Sequence, residues 1–429
     1  MSAALTGVLA AGSVLLFRWV IEYGQSLFLP GGRIGNYEAL PVWARFALPV
    51  AGGLFIGLAF NRFPPALRQV GITHMLLQLR NEGRPSLPAK NALVQFVFGA
   101  LAVITGHSVD REGPGVHLGA AAGNYVGRGQ KLSSEEDYTL IACGAAASIA
   151  AAFNTPLAGA IFVIEVLRVR YHISRFMPII LAAVIGAVIS RSIHGDSPSF
   201  VIPEISLESL GELPIIALLG VIIGLLATGF NTISRHIAES TLKWSPAVAF
   251  TLAGIVTGTL GIWSPAILGI SYDTLDNMLH NHITISALWL LLTFKLIATA
   301  VSIGMRLPGG LIAPVLVIGG AAGSLLAGVT AGLLPLPSSP VAFYATIGML
   351  TMMGATLQAP IAALIALLEM TGNPHIILPG MLAIVMADLV SRVLFNQESV
   401  FLALQVTQRQ KIREAEPAAE PATDKETVR

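Results

Sequence analysis

The chain has 429 residues and a formal net charge of +1 at pH 7, and 54% of its residues are hydrophobic while 11% are charged. Soluble proteins carry about 25% charged residues, so this composition excludes an ordinary soluble domain. The sequence also has no basic run or aromatic-rich basic patch of the kind that binds nucleic acid. We therefore predict an all-α, polytopic membrane protein, since about 20 consecutive apolar residues cross a bilayer as a helix.

The first predicted element is the apolar stretch of residues 1–20, which has neither a basic n-region nor a clear cleavage site. We predict a retained membrane helix there rather than a signal peptide. Further along, the apolar segments 114–127, 155–167 and 313–326 are short and interrupted by Gly and Pro. Broken helices of this kind are typical of transporters that bind their substrate near the middle of the bilayer. "SSEE" at residues 133–136 predicts a capping box.

The stretch "DREGPGVHLG", residues 110–119, places three charged residues between two uncharged runs. Pro114 stands about one residue inside a predicted helix start, a position that proline favours. Backbone N–H groups at a helix start carry about +0.5 charge and can bind an anion. Glu112 directly precedes this start, so its carboxylate would compete with an anion when ionised and withdraw when protonated. A structural carboxylate, paired with Arg111 or capping the helix, is the alternative interpretation.

Two blocks of the first half recur in the same order in the second half. Residues 110–123, "DREGPGVHLGAAAG", align with residues 310–323, "GLIAPVLVIGGAAG", and residues 144–165 align with residues 348–369. The first copy continues into the basic loop "LRVRYHISR", whereas the second continues into "MTGNPHIILPG", whose only basic residue is His375. Because basic loops stay cytoplasmic, this difference predicts inverted topology. The two helix starts would then meet at one anion site.

We therefore expect one transmembrane domain over residues 1–404, with a first repeat of about 1–200 and a second of about 210–404. Residues 405–429 contain five basic and five acidic residues and are predicted to form a soluble, disordered tail. Lys295 is an isolated cation within an apolar run. It would either shape the potential felt by the anion or extend its ammonium group to a membrane interface.

Several motifs at consistent spacing resemble the CLC family of chloride channels and chloride/proton antiporters, from about Gly71 to Leu404. They are "REGP" followed by "VHLGAAAG", then "PGGLIAP", "FNTPLAGAIFVIEV" and "APIAALIALLEMTG". The resemblance implies an inverted helical repeat, a homodimer with one anion pathway per subunit, and a place in the bacterial inner membrane. It also implies that Glu112 is a gating and proton-transferring glutamate. The backbone N–H groups of Gly113, Leu311 and Ile312 would bind the anion.

The chain departs from the family pattern at five positions, of which Ile312, in place of a phenylalanine, is the smallest change because its backbone would bind the anion. "QVGIT" places Val70 beside Gly71, where the family has an anion-binding serine, and Phe401 stands where the family has a tyrosine hydroxyl. Asp110 replaces a glycine. Val166 follows Glu165 at a position where antiporters commonly carry a second proton-transfer glutamate. We interpret Glu165 and its repeat equivalent Glu369 as structural, with Glu165 kept as a candidate for the proton path.

These features predict glutamate-gated chloride transport, with channel-like conduction favoured over chloride/proton antiport because of Val166. A cation-coupled solute transporter is a more distant alternative, although it would need carboxylates or carbonyls at the site rather than N–H groups. No metal-ligand spacing, nucleotide-binding loop or nucleophile elbow indicates an enzyme or a cofactor. The expected partners are chloride or another small anion, protons, membrane lipid and a second copy of the chain.

Overall fold

The computed structural model describes residues 1–69, 71–80, 84–169, 172–195, 202–203, 205–333 and 339–405. Within these ranges the chain is helical, and the only strand-like pairing is one isolated bridge between Asp110 and Gly310. The α-helices are α1 (Ser2–Phe28), α2 (Val42–Arg62), α3 (Gly71–Leu79), α4 (Ala89–Ile104), α5 (Glu112–Gly129), α6 (Ser134–Phe153), α7 (Pro156–Val166), α8 (Ile173–His194), α9 (Leu213–Ser240), α10 (Pro246–Trp263), α11 (Tyr272–Leu279), α12 (Ile285–Gly304), α13 (Ile312–Leu333), α14 (Val341–Leu357), α15 (Pro360–Thr371) and α16 (Ile377–Asp388). The predicted all-α class is confirmed.

Helix lengths divide the described residues into full spans and shorter pieces. Eight helices are long and apolar enough to cross a membrane, and four more apolar helices have only 10–17 residues. The shorter group consists of α4, α7, α14 and α15. Short apolar helices can lie within a bilayer only where neighbouring protein covers their ends. The prediction of a polytopic membrane protein with broken helices is confirmed. Of the segments predicted to be short, residues 155–167 form the short helix α7, whereas residues 313–326 lie within α13, which is long enough to cross a membrane.

The repeat detected in the sequence appears as two sets of equivalent helices, with α5, α6 and α7 matched by α13, α14 and α15. In the first set α5 and α6 touch through Gly119 and Gly144, since a Cβ on Gly144 would lie 1.9 Å from the Gly119 carbonyl oxygen. In the second set a Cβ on Gly348 would lie 2.3 Å from the Gly319 carbonyl oxygen. Only glycine allows backbones to approach this closely, as in other membrane helix pairs.

The two repeats are joined by reciprocal helix caps between α7 and α15. The Glu165 carboxylate, at the end of α7, accepts hydrogen bonds of 3.1 and 2.7 Å from N–H groups in the first turn of α15. The Glu369 carboxylate, at the end of α15, accepts bonds of 2.9 and 2.8 Å from N–H groups in the first turn of α7. A carboxylate at a helix start satisfies unpaired N–H groups and interacts favourably with the helix dipole.

The structure bears on two local predictions, the capping box at Ser133 and the C-terminal tail. Ser133 caps α6 in a capping box with Glu136, as the sequence predicts. At the other end, residues 400–405 are helical, and the side chain of Gln405 is buried and accepts a 3.0 Å hydrogen bond from Arg80. The rest of the predicted tail, residues 406–429, lies outside the described residues.

Candidate anion site

The starts of α5 and α13 converge, as the repeat predicts. The backbone N–H of Asp110 donates to the Gly310 carbonyl at 3.0 Å, and the Gly310 N–H donates back at 3.1 Å. Gly310 has no space for a side chain, because a Cβ there would lie 1.8 Å from Asp110 Oδ1 and 2.6 Å from the Gly113 nitrogen. Pro114 is the third residue of α5 rather than the first. Proline is tolerated there because the N–H groups of the first helical turn have no intrahelical acceptor.

The Asp110 carboxylate lies between these two helix starts and bonds to both. Its Oδ1 atom accepts hydrogen bonds from the N–H groups of Glu112 at 3.0 Å and Gly113 at 3.1 Å. Its Oδ2 atom accepts a 2.7 Å bond from the N–H of Ala313 in the other repeat. The Asp110 side chain has no solvent-exposed surface. Both oxygens of this buried carboxyl group therefore have hydrogen-bond partners.

Glu112 takes a different position from the one that its place in the sequence suggests. Its Oε1 atom accepts a 2.6 Å hydrogen bond from the Tyr272 hydroxyl and lies 3.5 Å from Nε of Arg111. Arg111 also forms a 3.0 Å ion pair with Glu22 of α1. The other carboxylate oxygen of Glu112 is buried and has no hydrogen-bond partner among the described residues. Glu112 is therefore paired with Arg111, and Asp110 rather than Glu112 caps α5.

A cavity of about 500 Å³ reaches the convergence point of the helix starts. Four of the predicted site residues line it: Gly71, Gly113, Leu311 and Phe401. Arg68 and Arg306 also line it, and no acidic side chain does so among the described residues. Since charge of one sign along a cleft concentrates the oppositely charged ion, this lining favours anions over cations.

The side chains of the other predicted site residues that the structure describes face away from this cavity. Glu112 lines a separate small cavity together with Arg111. The side chain of Ile312 is buried and faces an apolar cavity that contains Phe162. Val166 is buried at the end of α7, and Val70 lies outside the described residues.

The sequence interpretation of Lys295 as a residue that extends to an interface is wrong. Its side chain is fully buried, and Nζ donates hydrogen bonds to the carbonyls of Ile267 and Gly269 at 2.9 and 2.8 Å and to Ser271 Oγ at 2.7 Å. These acceptors lie in the loop that leads directly into α11. Lys295 therefore fixes the loop that carries Tyr272, the hydroxyl partner of Glu112. The sequence indicated only that Lys295 was an isolated charge.

Gln95, a residue of α4, was not singled out by its sequence context. It has no exposed surface and lines the large cavity beside Gly71 and Gly113. Neither its Nε2 nor its Oε1 atom has a hydrogen-bond partner among the described residues. The only signal in the sequence is a polar residue within an otherwise apolar helix. No group of three or more His, Cys, Asp or Glu side chains suited to a metal ion occurs within the described ranges.

Comparison with known proteins relates the chain to anion-transport proteins over nearly its whole length. A family model described as voltage gated chloride channel matches residues 52–392. The chain is 32% identical over 410 residues to the voltage-gated ClC-type chloride channel ClcB of Escherichia coli O81, covering 93% of this chain and 96% of that protein. It is also 32% identical over 391 residues to a ClcB-like chloride channel protein of Ralstonia nicotianae, covering 89% of this chain and 90% of that protein.

Two solved structures share the fold. A slow cyanobacterial Cl⁻/H⁺ antiporter aligns with a TM-score of 0.76 at 24% identity, covering 97% of both chains. A CLC-type fluoride/proton antiporter aligns with a TM-score of 0.78 at 21% identity, covering 94% of this chain and 96% of the other. These identities are low, so the two structures establish a common architecture and leave the transported ion to other arguments.

Proposed function

The chain belongs to the voltage-gated chloride channel (CLC) family, and from this premise we propose that it transports chloride through the site at the starts of α5 and α13. The observation that carries the proposal is the cavity of about 500 Å³ that is lined by two arginines and ends at these helix starts. Backbone N–H groups at a helix start attract an anion without the full charge of a lysine, so a bound anion can also leave.

The backbone N–H groups of Gly113, Leu311 and Ile312 are the proposed anion ligands. Gly113 and Leu311 belong to the cavity lining, and Ile312 is the first residue of α13. Gly71 and Phe401 line the same cavity without offering a side-chain hydroxyl. Val70, the third residue at a position where the family binds anions, is likewise apolar. The side-chain contribution to the site therefore has to come from other residues.

The proposed transport couples chloride to protons, with Glu112 as the residue that exchanges the proton. Both structural neighbours described above are antiporters, which supports coupling over the channel-like conduction favoured by the sequence. Glu112 is buried, and one of its carboxylate oxygens lacks a hydrogen-bond partner among the described residues, so it is available to bind a proton. Glu165 is interpreted as a helix cap rather than a proton carrier, because both of its oxygens accept backbone hydrogen bonds.

Channel-like conduction is the second candidate, and two observations favour it. Val166 cannot carry a proton, and the E. coli relative is named a voltage-gated chloride channel. The two candidates differ in one measurable property. In an antiporter a chloride gradient drives protons uphill, whereas in a channel the two ions move independently.

The test is chloride efflux from liposomes that contain the purified protein, with simultaneous recording of proton movement. We expect chloride efflux and uphill proton movement driven by an imposed chloride gradient. The Glu112→Gln variant should keep chloride flux and lose proton movement, because the amide cannot exchange a proton. Absence of chloride flux would contradict the proposed function. Chloride flux without proton movement in the wild-type protein would favour the channel.

We propose that the protein resides in the bacterial inner membrane as a homodimer. The bacterial relatives and the eight apolar spans support the location, and the dimer is implied by family membership. Mass measurement in detergent by native mass spectrometry should give twice the chain mass of 45.0 kDa. A mass of one chain under conditions that preserve transport would exclude the dimer.

A further inference from the structure

A side chain of the protein itself bonds to both helix starts, next to the large cavity whose lining includes Gly113 and Gly310. Asp110 holds three N–H donors, two from its own repeat and one from Ala313 in the other repeat. One of these donors is the N–H of Gly113, which is also a proposed anion ligand. An N–H that donates to a carboxylate is not free to bind chloride, so Asp110 and the anion exclude one another there.

Glu112 does not perform this task in the observed arrangement. Its carboxylate is directed to Tyr272 and Arg111, and no N–H of either helix start donates to it among the described residues. The two acids of the "DRE" sequence therefore have separate positions. Asp110 occupies the helix starts, while Glu112 lies in a neighbouring cavity with a cation and a hydroxyl.

We propose that Asp110 is the tethered carboxylate that closes the anion position and that chloride must displace it to bind. The inference rests on the proposed function, because it presupposes that the helix starts are the anion site. A purely structural role, in which Asp110 only joins the two repeats, is the competing explanation. The two explanations differ in what happens to chloride affinity when the carboxylate is removed.

The test compares chloride binding to detergent-solubilised wild-type, Asp110→Gly and Asp110→Asn proteins by isothermal titration calorimetry. If the carboxylate occupies the helix starts in at least about 90% of molecules, its removal should raise the apparent chloride affinity about tenfold or more. The glycine variant frees all three N–H groups. The asparagine variant preserves the size of the side chain and keeps one acceptor oxygen, so its gain in chloride affinity should be smaller. It also keeps the test possible if the glycine variant fails to fold.

Asp276→Asn serves as a control, because Asp276 is half exposed on α11 and should leave affinity unchanged. Chloride affinity equal to wild type in both folded Asp110 variants would overturn the inference and leave Asp110 as a structural link. Chloride efflux from wild-type liposomes tests the proposed function separately. A protein that transports chloride but shows no affinity gain would lose this inference and keep its function.

A second inference rests on an independent observation, the unpartnered amide of Gln95. Leaving a buried polar group without a partner typically costs about 1–3 kcal/mol, so such a residue is retained for a reason other than stability. Its Nε2 atom lies beside Gly99 of α4 and its Oε1 atom lies nearer Gly71, since a Cβ built on Gly99 would lie 2.8 Å from Nε2 and a Cβ built on Gly71 would lie 3.8 Å from Oε1. A half-turn of the amide group exchanges the two atoms with little change in shape. We infer that the Gln95 amide, turned so that Nε2 faces the large cavity, donates a hydrogen bond to an anion there and supplies a side-chain ligand that Phe401 cannot.

A variant with opposite effects on stability and binding tests this role. Gln95→Met has nearly the same volume and removes both unpartnered atoms, so the thermal midpoint in detergent should rise while chloride affinity falls several-fold. Gln95→Glu places a negative charge at the cavity and should abolish measurable chloride binding. Unchanged chloride affinity in Gln95→Met would overturn the inference. A fall in the thermal midpoint of that variant would also contradict it, because it would show that the amide is satisfied within the protein.

Discussion

The reciprocal glutamates Glu165 and Glu369 provide a matched pair of variants within one chain. Each carboxylate accepts two N–H hydrogen bonds at the start of the partner helix. A hydrogen bond to an ionised group contributes about 1.5–3 kcal/mol and a neutral one about 0.5–1.5 kcal/mol. Glutamine keeps one acceptor oxygen and turns its own N–H groups towards the second donor. Since both sites are half-buried and water replaces part of the loss, we expect each Glu→Gln change to cost about 1–3 kcal/mol.

Because the two caps are equivalent in the repeat, the thermal midpoints of the two variants can be compared directly with each other. Glu165→Gln and Glu369→Gln should lower the thermal midpoint in detergent by similar amounts, because the two caps have the same geometry. Proton movement in liposomes should remain near the wild-type rate in both variants. Glu239→Gln on α9 is the control and should shift the midpoint little, because among the described residues the Glu239 side chain forms an exposed ion pair with Arg235 and no helix cap.

Two results would refute this reasoning. The first is a Glu165→Gln protein as stable as wild type, which would mean that the observed cap contributes nothing. The second is loss of proton movement in Glu165→Gln while Glu369→Gln retains it. In that case Glu165 would be part of the proton path, and its cap geometry would be only one of the arrangements that it adopts.

Three further predictions concern single positions. Lys295→Met leaves two carbonyls and a hydroxyl without their hydrogen-bond donor and should destabilise the protein by at least about 2 kcal/mol. The control Lys243→Met replaces an exposed lysine and should change the thermal midpoint little. Arg68→Gln and Arg306→Gln should each lower chloride flux about twofold at low ionic strength, because a unit charge acting across about 10 Å of water contributes about 0.4 kcal/mol. The loss should fade at high salt, and a deficit independent of salt would contradict the electrostatic explanation. Gly310→Ala places a Cβ 1.8 Å from Asp110 Oδ1 and should reduce both stability and chloride flux. Gly229→Ala is the control and should retain both, because a Cβ there meets nothing within 4 Å. Wild-type behaviour of Gly310→Ala would show that the two helix starts are further apart than the structure places them.

Much of the architecture is predictable from the sequence because it depends on local composition. Uncharged runs of sufficient length must lie in the membrane, and the aligned blocks around Pro114 and Pro314 identify the starts of two equivalent helices, α5 and α13. Their convergence follows once the blocks are recognised as an inverted repeat. The capping box at Ser133 is also local, since both partners lie within one helical turn.

The direction of the acidic side chains is not predictable in the same way. Asp110 lies two residues before α5 and Glu112 is its first residue. Their spacing in the sequence gives no reason for Asp110 rather than Glu112 to bond to the starts of α5 and α13. The choice depends on Ala313 and Tyr272, which the fold brings from distant segments, and on the conformation of the adjacent Arg111. The burial of Lys295, which excludes extension to an interface, is unpredictable for a similar reason, because its three acceptors belong to a loop that no helical pattern describes.

The asymmetry of the repeat at the site has a steric cause. Asp110 and Gly310 are equivalent in the alignment, and they face each other through the backbone bridge at the convergence point. A carboxylate on Asp110 reaches N–H groups of both helix starts only because Gly310 leaves the space free, since any Cβ there would overlap Asp110 Oδ1. One side chain therefore serves both repeats, and a second one cannot fit.

Exchange of the two residues tests this explanation. In the double variant Asp110→Gly with Gly310→Asp, the new carboxylate should accept hydrogen bonds from the N–H groups of Ile312, Ala313 and Gly113. This set is the repeat equivalent of the three donors that Asp110 has in the wild-type protein. The thermal midpoint of the double variant should exceed that of either single variant. Gly310→Asp alone should be the least stable, because two carboxylates then compete for the same donors at contact distance. If the double variant is no more stable than Asp110→Gly, the carboxylate is bound by features of the first repeat alone, and the symmetric description of the site fails.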